Sequence, residues 1–300
     1  MNIRDLEYLV ALSEHQHFRK AAEACFVSQP TLSGQIRKLE DELGVMLLER
    51  SSRKVFFTEA GMNLVRQAQK VLREVKVLEE MACTQANDMS GVLNMGMIPT
   101  IGPYLLPHII PVLKSAFPQL GLHIFEAQTS QLAQQLDDGK LDCVIWAAVK
   151  ETEPFKELKL YLEPFLFALP EQHPWATLPQ ISMSRLEEQS LLLLSDGHCL
   201  RDQALDYCFS AGANEDSRFR ATSLETLRSM VASDVGVTLL PKLAVPSSQC
   251  RDGVVYVNAT DPEPRRLITL GYRPSSPLRN RYEKLAKTIA DVMKQHCYSA

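Results

Sequence analysis

From Val92 to Ala148, strand-length apolar runs alternate with helix-length segments, and this alternation constrains the chain more than any other feature. V-L-N-M-G-M-I, L-G-L-H-I-F-E-A and L-D-C-V-I-W-A-A read as buried strands. P-Y-L-L-P-H-I-I-P-V-L-K-S-A-F and S-Q-L-A-Q-Q-L-D-D-G read as the helices between them. Strands joined by helical crossovers run parallel, so a βαβαβ lobe with a parallel sheet is expected. A second α/β lobe begins near Leu169. It contains S-L-L-L-L-S, R-F-R-A-T-S-L-E-T-L-R-S-M-V and V-T-L-L-P, with Thr222 and Glu225 spaced as a capping box. The chain then returns through R-R-L-I-T-L-G-Y-R, a strand, to an amphipathic helix that starts at Ser276-Pro277 and runs through Leu285 and Ile289. In open parallel sheets, ligands sit beyond the carboxyl ends of strands. Thr100, Thr129 and Gly197-His198-Cys199 each follow a strand, so all are expected to face one cleft between the lobes.

Ahead of this lie two other kinds of pattern. Residues 1–58 read as three helices and a hairpin. Leu6, Leu9, Val10 and Leu12 form one apolar face; Phe18, Ala21, Ala22 and Cys25 form a second. After a turn at Phe26-Val27-Ser28, Ser28 and Pro30 open a third helix that buries Leu32, Ile36, Leu39 and Leu43. Its opposite face carries Pro30, Gly34, Arg37, Lys38 and Asp41, flanked by Thr31, Ser33 and Gln35. A small residue amid hydroxyls, an amide and cations suits base edges and phosphates; a solvated bundle face is the plainer alternative. The hairpin E-R-S-S-R-K-V-F-F-T places Arg50, Arg53 and Lys54 at its tip, as a wing would against a phosphate backbone. The next segment, 59–88, is a linker helix. Met62, Val65, Ala68 (with Val71 and Leu72), Val75 and Leu78 make a narrow seam that suits a partner helix better than a domain core; a helix docked on its own chain is the plainer alternative. Residues 89–300 form the two-lobed effector domain, lobe I spanning about 92–168 and 266–300 and lobe II about 169–265.

Net charge is -4, so any nucleic-acid partner must be met by a local patch. M-N-I-R-D-L-E-Y lacks the apolar run of a signal peptide, and no apolar run reaches membrane-spanning length. Seven cysteines without a C-x-x-C pair argue against a secreted disulfide framework and for a reducing cytoplasm. Cys25 and Cys143 lie on core faces, Cys83 ends the linker, Cys250 sits in a loop and Cys297 in the tail.

Cys199 and Cys208 stand apart. D-G makes a turn at 196–197, and residues 200–209 read as a helix, so Cys199 lies near a helix N-terminus beside His198 and Arg201. Dipole and cations there favour a thiolate, while Asp196 and Asp202 oppose it in part. Cys208 follows Leu200 and Ala204 at four-residue spacing and belongs to the buried stripe. Nine helical residues separate the two thiols by about 13 Å along the axis. A disulfide needs Cα atoms within about 7 Å. Either the two never bond, or bonding unwinds the helix. Two structural cysteines remain an alternative, and a metal site lacks a fourth ligand.

A-A-E-A-C-F-V-S-Q-P-T-L-S-G-Q-I-R-K-L-E-D-E-L-G-V-M-L-L-E-R resembles the winged helix-turn-helix of LysR-type transcriptional regulators. The likeness covers the whole chain, and the two lobes resemble type 2 periplasmic binding proteins. It implies double-stranded promoter DNA as a partner, met by Gln29, Pro30, Thr31 and Ser33 and by the wing residues Arg50 and Arg53. It also implies a homodimer or homotetramer, RNA polymerase as a further partner, and neither cofactor nor metal. G-H-C-L-R-D-Q-A-L-D-Y-C-F, with E-A-Q-T and F-R-A-T-S-L-E-T-L, is similar to the redox centre of the hydrogen-peroxide-sensing members. That likeness implies that Cys199 is oxidised first and Cys208 resolves it into a disulfide. Thr100 and Thr129 would place the peroxide, with Arg266 near the thiol. Arg218 stands where a histidine is expected. The rival readings are a family member that binds a small organic ligand in the cleft, and a thiol peroxidase, for which a recognition helix would serve nothing.

Overall fold

The computed structural model describes residues 1–49, 55–83, 89–188, 190–195, 200, 214–246, 250–251 and 253–295. The chain forms two compact units, Met1–Gln85 and Ala86–Ala300.

In the first unit, α1 (Ile3–His15), α2 (Phe18–Ala24) and α3 (Gln29–Leu43) pack round one core. Asn2 caps α1 by accepting from the Asp5 amide, and Asp5 answers by accepting from the Asn2 amide. The turn into α3 passes through Phe26 at φ 54, a residue 94% exposed. Ser28 then caps α3, accepting from the Thr31 amide. Leu32, Ile36 and Leu39 are buried as expected, but Leu43 is exposed. It is the last residue of α3, ahead of the left-handed Gly44 cap. Leu48 and Phe57 then pair antiparallel, and Glu49 N–H donates to Phe56 O at 2.8 Å.

α4 (Glu59–Cys83) leaves this pair and packs against α1. Gly61 permits the close start: a Cβ there would lie 2.1 Å from the Leu47 carbonyl oxygen. The apolar positions of this helix divide between two environments. Val65 and Ala68 are already buried in the head core, whereas Met62, Val71 and Leu78 are exposed.

The second unit contains β1 (Gly91–Met97), α5 (Gly102–Ala116), β2 (Leu120–Glu126), α6 (Thr129–Asp137), β3 (Cys143–Ala147) and β4 (Lys156–Pro170). There follow β5 (Gln180–Ser182), β6 (Ser190–Leu194), β7 (Asn214–Ala221), α7 (Leu224–Ala232) and β8 (Thr238–Pro241). β9 (Cys250–Arg251), β10 (Val254–Thr260), β11 (Arg265–Tyr272) and α8 (Arg279–Gln295) complete it. Among the described residues, the main sheet runs β2-β1-β3-β11-β4-β10-β5, with β8 also on β4 and β9 on β10. β1, β2 and β3 are parallel, as the alternation implies, but β11 and β4 continue antiparallel, so the sheet is mixed. β2 is an edge strand with Phe125 exposed, not a buried one. β6 and β7 pair in parallel as a separate ribbon.

β4 belongs to both lobes. Lys156 to Pro164 pair with β11, and Phe165 to Pro170 pair with β8 and β10. One core lies round β1, β3 and α8, the other round β6, α7 and β10. Three local expectations change. The cap of α7 is Ser223, accepting from the Thr226 amide, so Glu225 is left to turn outward. Cys250 lies in β9, paired with Val255 across the turn at Gly253, rather than in a loop. The last helix begins at Arg279, and Ser276 Oγ instead meets the Tyr282 hydroxyl at 3.0 Å. α5 keeps Pro107 and Pro111 inside it. Both lie on its exposed face, where carbonyls deprived of a helical N–H meet water.

Candidate functional site

Arg266 lies in β11 directly opposite Glu163 of β4, at the point where β4 passes from one lobe to the other. Both side chains are fully buried. Glu163 Oε2 accepts from Arg266 Nε at 2.8 Å and lies 2.7 Å from Nη2. The outer edge of the guanidinium holds Thr100: Nη1 donates to Thr100 Oγ1 at 2.9 Å and Nη2 to the Thr100 carbonyl at 3.0 Å. Glu163 Oε1 accepts from the Leu243 amide at 3.0 Å, in the 3-10 turn Lys242–Ala244 that follows β8. A buried ion pair survives only when its remaining donors and acceptors are engaged, and this one is closed on both sides. The Phe165 ring lies 5.8 Å from the guanidinium carbon.

Thr100 and Thr129 lie beyond the carboxyl ends of the parallel strands β1 and β2. Neither caps a helix; Ile101 and Gln128 hold those positions. Both are buried, and among the described residues Thr129 Oγ1 has no hydrogen-bond partner. A buried hydroxyl without a partner carries a desolvation cost. The family resemblance groups Thr100 with Arg266, and the two are hydrogen-bonded here. Sequence reasoning missed Glu163. The signal was a single carboxylate inside the apolar run L-Y-L-E-P-F-L-F. His198, Cys199, Arg201 and Cys208 lie outside the described residues. Ser195, at the end of β6, is held by Ala221 O, which accepts from its amide at 2.7 Å and its hydroxyl at 3.0 Å. Leu200 is helical and buried. Arg218 is exposed, over the Phe219 ring.

A second contact joins the lobes nearby. The Tyr104 hydroxyl donates to Glu225 Oε1 at 2.9 Å, and Glu225 pairs with Arg228. Burial and this carboxylate push the Tyr104 phenol up from its ordinary value. Burial pushes the Cys143 thiol strongly up, and burial with Glu7 nearby pushes Cys25 up, so both are poor nucleophiles at neutral pH.

On the first unit, Gln29, Pro30 and Thr31 are exposed, and Ser33 is partly so. The Thr31 hydroxyl lies 2.7 Å from Ser28 Oγ, which ties its position to the helix cap. Around Gly34 there is open space. Arg37 and Lys38 are exposed beside it. Arg50 and Arg53 lie outside the described residues. No helix among the described residues is long and apolar enough to cross a membrane.

Known proteins match both units. Residues 3–62 match the bacterial regulatory helix-turn-helix proteins of the lysR family, and residues 86–294 match the LysR substrate binding domain. The chain is 66% identical over 296 residues to the DNA-binding transcriptional dual regulator OxyR of Escherichia coli K12, covering 99% of this chain and 97% of that one. It is 61% identical to a hydrogen peroxide-inducible genes activator of Haemophilus influenzae, over 98% of each chain. A crystal structure of reduced OxyR superposes with TM-score 0.66 at 57% identity, covering 70% of this chain and 99% of that one. A full-length OxyR variant of Pseudomonas aeruginosa reaches TM-score 0.77 at 40% identity, over 97% and 98% of the two chains. A helix-turn-helix head, a two-lobed domain with a neutralised arginine at its centre, and near-complete coverage at high identity agree: the chain belongs to the LysR family of bacterial transcriptional regulators, in its OxyR branch.

Proposed function

We propose that the protein is a DNA-binding transcriptional regulator that senses hydrogen peroxide at the cleft beside Thr100 and Thr129. The observation that carries this reading is the chemistry at the carboxyl ends of β1 and β2. Arg266 is neutralised by Glu163, so its charge is spent within the protein instead of being offered to an organic anion. What remains are two buried hydroxyls, one of them without a partner among the described residues. Such a place suits a small, neutral, hydroxylic molecule.

Cys199 would supply the electrons. Its thiolate attacks one peroxide oxygen; the S–O bond forms, the O–O bond breaks, and the departing hydroxide takes a proton to become water. The Cys208 thiol then displaces the sulfenic oxygen as a second water, leaving a disulfide. Two thiols and one peroxide become one disulfide and two waters. His198 and Arg201 would hold the thiolate. The switch would act on 1–58 through the linker 59–88, with 89–300 as the sensing domain. Gln29, Pro30, Thr31 and Ser33 would read base edges, and Arg50 and Arg53 phosphates. The working form would be a cytoplasmic homodimer or homotetramer that engages RNA polymerase at antioxidant promoters, without cofactor or metal. Mass spectrometry of tryptic peptides after one equivalent of peroxide tests it. A Cys199–Cys208 link is expected; a link from Cys199 to another cysteine, or none, sinks it.

A further inference from the structure

We infer that Glu163 is a positioning residue for the peroxide reaction: it fixes the Arg266 guanidinium so that Thr100 becomes a hydrogen-bond donor to the bound oxidant. This rests on the peroxide reading above. Thr100 Oγ1 accepts from Arg266 Nη1 at 2.9 Å. An oxygen that accepts a bond from a cation gives up its own hydrogen more readily, since successive bonds polarise one another. Arg266 carries no acceptor, so it cannot take that hydrogen, which is directed elsewhere.

The Arg266 fork can hold this pose because its inner edge is pinned. Glu163 binds Nε and Nη2, leaving the outer edge to grip Thr100 at both its hydroxyl and its carbonyl. Glu163 is itself anchored to the other lobe by the Leu243 amide. The donor is thus set by a chain running Leu243, Glu163, Arg266, Thr100, with every member buried or backbone. Its chemical use is plain. When the O–O bond breaks, negative charge develops on the departing oxygen, and a fixed O–H directed at it lowers the barrier without reorganisation.

The test is a rate comparison on the full-length protein. Cys199 is reacted with hydrogen peroxide and, separately, with iodoacetamide, which needs the thiolate but no oxygen donor. Thr100→Val should slow the peroxide reaction about tenfold and leave alkylation unchanged, as loss of one transition-state hydrogen bond does. Glu163→Gln should do the same, and the double variant should be no slower than either single one, because both act through one bond. Multiplying penalties, or parallel changes with both reagents, would overturn the inference. Glu163→Gln leaves a buried arginine unpaired. If it does not fold, the neutral pair Glu163→Gln with Arg266→Gln takes its place, with the same slowing expected; an undiminished peroxide rate overturns the proposal. If the unsubstituted protein does not react with peroxide at Cys199, the functional reading fails on its own. The positioning claim is then read from amide exchange over residues 100–105, where no change in Glu163→Gln overturns it.

Discussion

Thr129 carries a buried hydroxyl that no described residue uses. Valine has nearly the same shape without the oxygen. Thr129→Val should therefore leave stability unchanged or raise it by up to about 1 kcal/mol, as urea unfolding would show, while slowing peroxide oxidation of Cys199. A destabilising substitution would mean that the hydroxyl is part of the fold's own bonding. Thiol chemistry makes a second residue-level prediction. Because burial raises the Cys143 thiol, and burial with Glu7 that of Cys25, both stay protonated at neutral pH and ionise only as pH climbs. Pulse alkylation of the native reduced protein at pH 7 should leave Cys143 unmodified and Cys25 slow, with labelling of Cys25 rising with pH. The positions of Thr100 and Thr129 were legible because strand ends are legible. Glu163 was not, because its partner lies 103 residues further along the chain and only the sheet register brings them opposite.

Helix α4 shows how far an apolar pattern can be read. Its periodicity marks a long helix, but periodicity does not say which neighbour covers which turn. The contact that decides this is Gly61 against the Leu47 carbonyl, made possible by a missing side chain. Gly61→Ala should destabilise the first unit by about 1–3 kcal/mol through overpacking against backbone. Thermal unfolding followed by probes in each unit should show the change in Met1–Gln85 alone. Similar limits explain the cap of α7. The spacing of Thr222 and Glu225 fits a capping box, but the helix starts one residue later, with Ser223 as its cap. For residues 200–209 the sequence reading makes its own demand: joining Cys199 to Cys208 requires a helix there to unwind. Amide exchange across this segment should be slow in the reduced protein and fast in the oxidised one. Equal protection in both forms would remove unwinding from the mechanism even if peroxide is sensed.

At the scale of the whole molecule, the DNA-facing and sensing units are separate cores in one chain. Their separation was legible from composition: a polar-faced helical head, a charged helix, then alternating strands and helices. The mixed sheet was less so, since the return of β11 beside β3 is a pairing no local pattern encodes. The assigned wing predicts that Arg53→Ala weakens binding to every DNA sequence and lowers the slope of log K against log salt by about 1. An unchanged slope would take Arg53 off the phosphates. The joining of β4 to β11 also has a consequence for biosynthesis. Glu163 leaves the ribosome 103 residues before Arg266. At translation rates of 5–20 residues per second, β4 waits roughly 5–20 s for its partner. During that interval β3 and β4 both lack β11 on their flank, and the nascent chain presents two open strand edges. A premature stop anywhere between the end of β4 and Arg265 makes that interval permanent, so such alleles should yield aggregating protein instead of a merely unresponsive regulator.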